Sequence, residues 1–272
     1  MGFAQATRFV VERFCTLWSC DHGPVTEPNT AGEINKACQR LAKARRQMLA
    51  KESLGQGSGE LKRLATDIQL VEGWRGAHAV PLRNASANLR YYVKPHSATQ
   101  PDIVSVTQRL KKFSTILDKQ CRFPTMRLTK MEDIGGVRAI LPDQDAADDV
   151  YRRLRRNWKV TRDRDYVREP KPSGYRALHL TVVKQGFRIE VQLRTYLQDV
   201  WANQVESDSR WRRIDYKSGV GQQEVHDYYI AVSELFAMSE ASISPSEAFR
   251  IELQRRRALA ETFLSPTIGS QQ

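Results

Sequence analysis

In the stretch GFRIEVQLRT, Phe187, Ile189, Val191 and Leu193 alternate with Arg188, Glu190, Gln192 and Arg194. An extended chain puts the four polar groups on one face. Upstream, Leu178, Leu180 and Val182 alternate with His179 and Thr181. A two-residue turn at Gln185-Gly186 would pair Leu180 with Val191, Thr181 with Glu190 and His179 with Gln192. Half-buried strands often turn such a face to water. This register instead gathers His179, Glu190, Gln192 and Arg194 on one surface, a set richer in chemistry than a solvated face requires.

Three other segments carry reactive types. In RLKKFSTILDK, Arg109, Lys111 and Lys119 flank the hydroxyl of Thr115, which also suits a solvated basic helix start. In KMEDIGGVRAIL, Asp133 precedes two glycines and Arg138 stands early in a strand. Paired glycines let a backbone approach a ligand closely, and ordinary turns use them too. In DYVREPKPSGYRALH, Lys171, Tyr175 and His179 recur every four residues across a loop that enters the hairpin.

The surrounding pattern is mixed. Residues 31–52 place Ile34, Ala37, Cys38, Leu41, Ala44, Met48 and Leu49 at helical spacing, with a basic outer face. After the Gly/Ser run SLGQGSGE, a second helix follows with Leu61, Leu64, Ile68 and Val71 on one side. From about 103 to 215, helical and strand patterns alternate: an extended-then-helical stretch, the strand GVRAIL, a helix opened by acidic residues, the strand WKVTRDRDYV, the hairpin, and a helix from about 196. Two amphipathic helices and a frayed SPTIGSQQ tail end the chain. The organisation expected is an N-terminal helical extension over 1–102, an α+β core over 103–215 and C-terminal helices over 216–272.

At 272 residues and 40% hydrophobic content, the chain can bury a substantial core. The N-terminus lacks a secretory pattern and no apolar run is of membrane-spanning length, so a cytoplasmic protein is expected. Cys15, Cys20, Cys38 and Cys121 form no CxxC pair and read as small apolar residues, not as disulfide or zinc ligands. A net charge of +12 points to an anionic partner such as a polyphosphate or nucleic acid.

Taken in order, R-x-K-x(3)-T-I-x-x-K, D-I-G-G-V-R, D-Y-V-x(2)-P-K-P-x-G-Y-R-A-L-H and I-E-V-Q-L-R-T with Trp201-Ala202 downstream resemble the synthetase domain of the RelA/SpoT family over residues 103–206. The resemblance implies a nucleotidyltransferase-type core with a mixed sheet flanked by helices. It implies transfer of the β,γ-pyrophosphate of ATP to a ribose 3′-hydroxyl, with GDP or GTP as acceptor and (p)ppGpp as product. Arg109, Lys111, Thr115, Lys119 and Arg138 would then bind ATP, and Asp133 and Glu190 would hold Mg²⁺, with Glu190 also activating the hydroxyl. Lys171, Tyr175, His179, Gln192 and Arg194 would meet the acceptor, Tyr175 by stacking on its base. The length leaves no room for a hydrolase domain beside the synthetase, and His226-Asp227 reads as a helix-surface accident.

Two positions depart from the family pattern. Ser173 stands where Asn is common, and Glu206-Ser207 replaces an E-H pair. The latter ending is similar to toxic small synthetases of toxin–antitoxin pairs, several of which pyrophosphorylate the 3′ end of tRNA. The arginines of YRRLRRNWKVTRDRDYVR, with Lys36, Arg40, Lys43, Arg45 and Arg46, would suit such a polyanion or an acidic antitoxin. An adenine-nucleotide acceptor and a degenerate, non-catalytic binding domain complete the alternatives. Dimers and tetramers occur in the family.

Overall fold

The computed structural model describes residues 30–50, 58–97 and 100–264. Cys15, Cys20, the N-terminal pattern, most of the Gly/Ser run and the C-terminal tail lie outside them. In chain order the helices and strands are α1 (Ala31–Leu49), α2 (Ser58–Ala77), α3 (Ala79–Ser97), β1 (Ser105–Leu110), α4 (Phe113–Arg122), β2 (Gly135–Leu141), α5 (Gln144–Asn157), β3 (Val160–Asp165), β4 (Leu178–Lys184), β5 (Phe187–Thr195), α6 (Tyr196–Arg212), α7 (Gln223–Glu240) and α8 (Glu247–Glu261). Short 3₁₀ turns lie at Leu128–Lys130 and Tyr216–Ser218.

Local chemistry explains the boundaries. Thr30 and Glu33 form a reciprocal capping box at the start of α1, and Thr195 and Gln198 do the same for α6. Asp143 caps α5, accepting from the Ala146 amide at 2.8 Å. At the β4–β5 turn, Gln185 and Gly186 both take positive φ, 50° and 83°, the combination a two-residue hairpin with the strands' own twist requires.

One five-stranded sheet runs β1-β2-β5-β4-β3, with β2 parallel to β5 and the other pairs antiparallel. The hairpin register is the expected one: His179 opposite Gln192, Leu180 opposite Val191 and Thr181 opposite Glu190. Extended across the sheet, the register lays two rows on one face. Arg109, Gly136, Glu190, Thr181 and Arg162 form the first, and Thr107, Arg138, Gln192, His179 and Arg164 the second.

The opposite face is apolar. Val137, Ala139, Leu141, Leu178, Leu180, Val182, Ile189, Val191 and Leu193 pack with α5 through Ala147, Val150 and Leu154. They also pack with α3 through Leu82, Ala85, Leu89 and Val93. Helix α3 was not among the expected elements. Its apolar stripe packs on the core that the sheet builds. A second cluster joins α1, α2 and α4, and a third joins Tyr175, Trp201, Val205, Tyr216 and Tyr229 beneath α7 and α8. Cys38 is fully buried and reaches the Gln120 side-chain oxygen at 3.8 Å, as a small core residue can. His226 is 8% exposed against the Tyr216 ring, so it is a packed residue and not a surface one.

Candidate active site

The polar face of the sheet is crowded with charge that the chain itself organises. Asp133 lies just before β2, where each carboxylate oxygen accepts from a lysine at 2.9 Å, Oδ2 from Lys111 and Oδ1 from Lys119. Burial would push this carboxyl up, but the two ammonium groups outweigh it and hold the carboxyl below its usual range. Lys111 is fixed by its own backbone. Its amide donates to the Ile134 carbonyl at 2.8 Å, and its carbonyl accepts from Arg75 of α2 at 2.7 Å. Lys119 comes from α4, whose N-terminal end follows Lys111 directly and adds a positive dipole end to the cluster. Thr115 sits half-buried in the first turn of that helix.

The two glycines of β2 do different things. A Cβ at Gly135 would meet Ile189 Cδ1 at 2.9 Å on the packed face. Gly136 lies in the polar row between Arg109 and Glu190, and its missing side chain leaves that part of the floor open.

Glu190 is gripped from two sides. His179 Nδ1 lies 3.2 Å from Oε1, and Gln192 Nε2 donates to Oε2 at 2.8 Å. His179 Nε2 is 2.7 Å from the Tyr175 hydroxyl, which accepts from Arg194 Nη2 at 3.0 Å. An ionised Glu190 can only accept, so the histidine proton sits on Nδ1 facing it, and Nε2 accepts from the Tyr175 hydroxyl. This assignment gives each contact between Arg194 and Glu190 one donor and one acceptor. Burial pushes His179 below its ordinary value of 6.5 and so keeps it neutral. Burial also works to raise Glu190, yet the donors from His179 and Gln192 bring its carboxyl below the usual range. Glu190 is therefore an ionised acceptor with lone pairs still open to a third donor.

These directions fix a pH dependence. Glu190 stays ionised and His179 neutral until pH falls through their depressed values. Protonation of the pair, followed by NMR of the His179 ring, is therefore expected only below pH 6.5, the ordinary histidine value, and a titration above it would contradict the assignment.

Arg194 and Tyr175 depart from expectation. Arg194 is 1% exposed, with Nη1 donating to Asp199 at 2.8 Å, so it lies behind the floor and does not reach a ligand. The same Asp199 oxygen accepts from Arg138 at 3.2 Å, tying a cation of the polar face to the buried one. Tyr175 is 2% exposed and has no open face. Lys171 Nζ lies 4.9 Å and Lys217 Nζ 5.7 Å from its ring centroid. A base could stack there only by displacing such ammonium groups. His179 and Gln192 likewise position Glu190 in this arrangement. Sequence reasoning missed Asp199, whose ties to Arg138 and Arg194 depend on burial.

The loop before β4 is built to a close tolerance. Gly174 donates to the Lys171 carbonyl at 2.8 Å, and Lys171 donates to the Tyr175 carbonyl at 3.2 Å. Ser233 of α7 donates to the Gly174 carbonyl and accepts from Arg176 Nε at 3.1 Å. Gly174 has φ +85°, and a Cβ there would lie 3.1 Å from Ile230 Cα. Gly174→Ala is expected to cost more than about 1 kcal/mol of stability, read by thermal unfolding. Equal stability would show that the loop has slack. Ser173, at the departing position, carries a buried hydroxyl with no partner among the described residues.

The basic surface is less free than its sequence suggests. Arg153, Arg155, Arg162 and Arg168 pair with Asp149, Asp163, Glu132 and Asp165. On α1, Arg40 pairs with Asp67 and Arg45 with Asp118. Among the described residues no helix is long and apolar enough to cross a membrane.

Residues 108–219 match the family model described as "Region found in RelA / SpoT proteins". The chain is 31% identical over 141 residues to GTP pyrophosphokinase YjbM of Bacillus subtilis strain 168, covering 45% of this chain and 67% of that one. It belongs to the RelA/SpoT family. The fold of this family member agrees with the crystal structure of small alarmone synthetase 1 from Bacillus subtilis, at TM-score 0.51 and 27% identity, over 68% of this chain and 99% of that one. A second structure of that synthetase, bound to its product pppGpp, aligns at TM-score 0.51 and 25% identity over 69% of this chain. The matched segment ends at residue 219, so α7, which holds the Gly174 loop, lies beyond it.

Proposed function

We propose that the chain is an ATP-dependent pyrophosphokinase that moves the β,γ-pyrophosphoryl group of ATP onto the ribose 3′-hydroxyl of GDP or GTP. The observation that carries the reading is an ionised Glu190, backed by neutral His179, on the same face as Arg109 and Arg138 and felt electrostatically by the lysine-bound Asp133. In this reaction the acceptor's 3′ oxygen attacks the β-phosphorus. The bond from that phosphorus to the α,β-bridging oxygen breaks, AMP leaves with that oxygen, and the hydroxyl proton passes to Glu190. Such transfers depend on positioning and charge neutralisation more than on covalent chemistry. Arg109, Lys111, Lys119 and Arg138 supply the cations for the triphosphate, and Lys171 beside Tyr175 faces the acceptor.

Asp133 and Glu190 would be the carboxylates that hold Mg²⁺. Among the described residues there is no cluster of three or more metal-ligating side chains. Two carboxylates suffice for an ion that keeps waters and takes phosphate oxygens. When bound with ATP it would neutralise phosphate charge, and Lys111 and Lys119 would then be released from Asp133 to the phosphates.

GDP and GTP are preferred as acceptors because the relative named a GTP pyrophosphokinase and the neighbour holding pppGpp cover most of the core, and because Arg155 and Arg162, among the arginines suited to tRNA, pair with carboxylates of the chain. The test is nucleotide analysis after incubation with ATP and Mg²⁺. AMP, not ADP, should accumulate only when GDP or GTP is present. AMP formation that ignores both would point to another acceptor, and none at all with ATP bound would point to a non-catalytic domain.

A further inference from the structure

After α6 the chain makes a turn that is fixed at both ends. Tyr216 is 1% exposed, packed into the cluster that holds Tyr175 and Trp201, and its hydroxyl donates to Gln222 at 3.0 Å. Gly219 and Gly221 take φ +79° and +121°, and a Cβ on Gly221 would stand 2.5 Å from Tyr216 Cε1 and 2.8 Å from Ile214 Cγ2. Only glycine fits there. The turn cannot swing away without unpacking Tyr216, so the next residue, Lys217, has a fixed root.

Its arm points back over the site. Lys217 Nζ is 5.7 Å from the Tyr175 ring centroid, on the ring that also carries the Lys171 ammonium. Its surroundings hinder a positive charge. Burial comes first, then Arg194, with Arg109 and Arg138 adding to it and Glu206 alone opposing, and together they push the ammonium down, although the residue still reaches solvent. Arg109 and Arg138 belong to the donor end of the floor, whereas Tyr175 and Lys171 belong to the acceptor end. Lys217 stands between them, a cation fixed among cations by a glycine-locked turn. Charge arranged in this way is compensated when an anion arrives.

We propose that Lys217 binds the phosphate chain where donor and acceptor meet, contacting the pyrophosphoryl group as it passes from ATP to the 3′ oxygen. This rests on the pyrophosphokinase reading and adds a contact to it. The group gains most from Lys217 when its charge is spread between leaving and attacking oxygens, so the effect falls on turnover more than on ATP affinity.

Lys217→Ala is expected to lower kcat about 10²-fold with the ATP KM changed less than about threefold, and Lys217→Arg to recover most of the loss. Its exposed side chain leaves the thermal midpoint unchanged. Calorimetric titration of the full chain with inorganic pyrophosphate and Mg²⁺ provides an independent reading, in which the alanine variant should bind about tenfold more weakly and the arginine variant near the parent. A parent chain that turns nothing over would sink the pyrophosphokinase reading, while the titration would still decide Lys217. Alanine and parent chains equal in pyrophosphate binding, or a parent that binds none, would overturn the proposal.

Discussion

Replacing Glu190 by glutamine is expected to lower pyrophosphoryl transfer by about 10²–10⁴-fold while the chain stays folded and binds ATP. The change keeps the volume and removes the basic oxygen pair. In the native arrangement both oxygens accept, one from His179 Nδ1 at 3.2 Å and the other from Gln192 at 2.8 Å. A glutamine amide can meet only one of these donors with its oxygen, and its NH₂ group opposes the other. The pair therefore loses a hydrogen bond as well as a proton acceptor, and Tyr175 loses part of what orients its hydroxyl through His179. Single-turnover rates beside equilibrium ATP binding separate the effects. Transfer retained within tenfold would remove Glu190 from the chemistry and leave it as a floor residue.

The second large effect is on stability. Asp199→Ala is expected to destabilise the chain by about 3–5 kcal/mol, because Arg194 would be left charged and buried without its carboxylate. For a chain of this size that corresponds to roughly 6–20 °C in thermal midpoint. Arg194 is 1% exposed, and its Nε already has no partner among the described residues. Asp199 also holds Arg138 at 3.2 Å and accepts from Asn203 at 2.8 Å, so its loss frees a cation of the polar face as well. Asp199→Asn retains hydrogen-bonding atoms and should cost less. A loss below about 1 kcal/mol for the alanine variant would show that Arg194 finds other partners.

Local rules account for what could be read in advance. The hairpin register follows from a two-residue turn with glycine at its second position and from the side-chain period of two, which together leave one pairing that keeps the apolar set on one face. Helix α5 announces itself by its aspartate cap and acidic first turn. Helix α3 was legible in principle, since Leu82, Ala85, Leu89 and Val93 recur at three and four residues, but Pro81, Pro95 and the polar residues between obscure the stripe.

The chemistry of the site was legible as residue types and not as exposure. Arg194 alternates with core residues on the polar face, and nothing in β5 says that Asp199 of α6 lies beneath it. Tyr175 carries the pattern of an open stacking residue, yet Trp201 and the α7 cluster close around it. The arginines after Tyr151 look like one basic surface because the partners of Arg155 and Arg162 lie on β3 and before β2. Tertiary pairing therefore engages part of the charge that reads as available.

The most direct measurement is the fate of label from γ-³²P-ATP incubated with the purified chain, Mg²⁺ and either GDP, GTP or deacylated tRNA, with Glu190→Gln alongside. A pyrophosphokinase acting on guanine nucleotides moves the label to ppGpp or pppGpp, and the glutamine variant does not. Label on tRNA, or on neither acceptor while ATP remains bound, would contradict it.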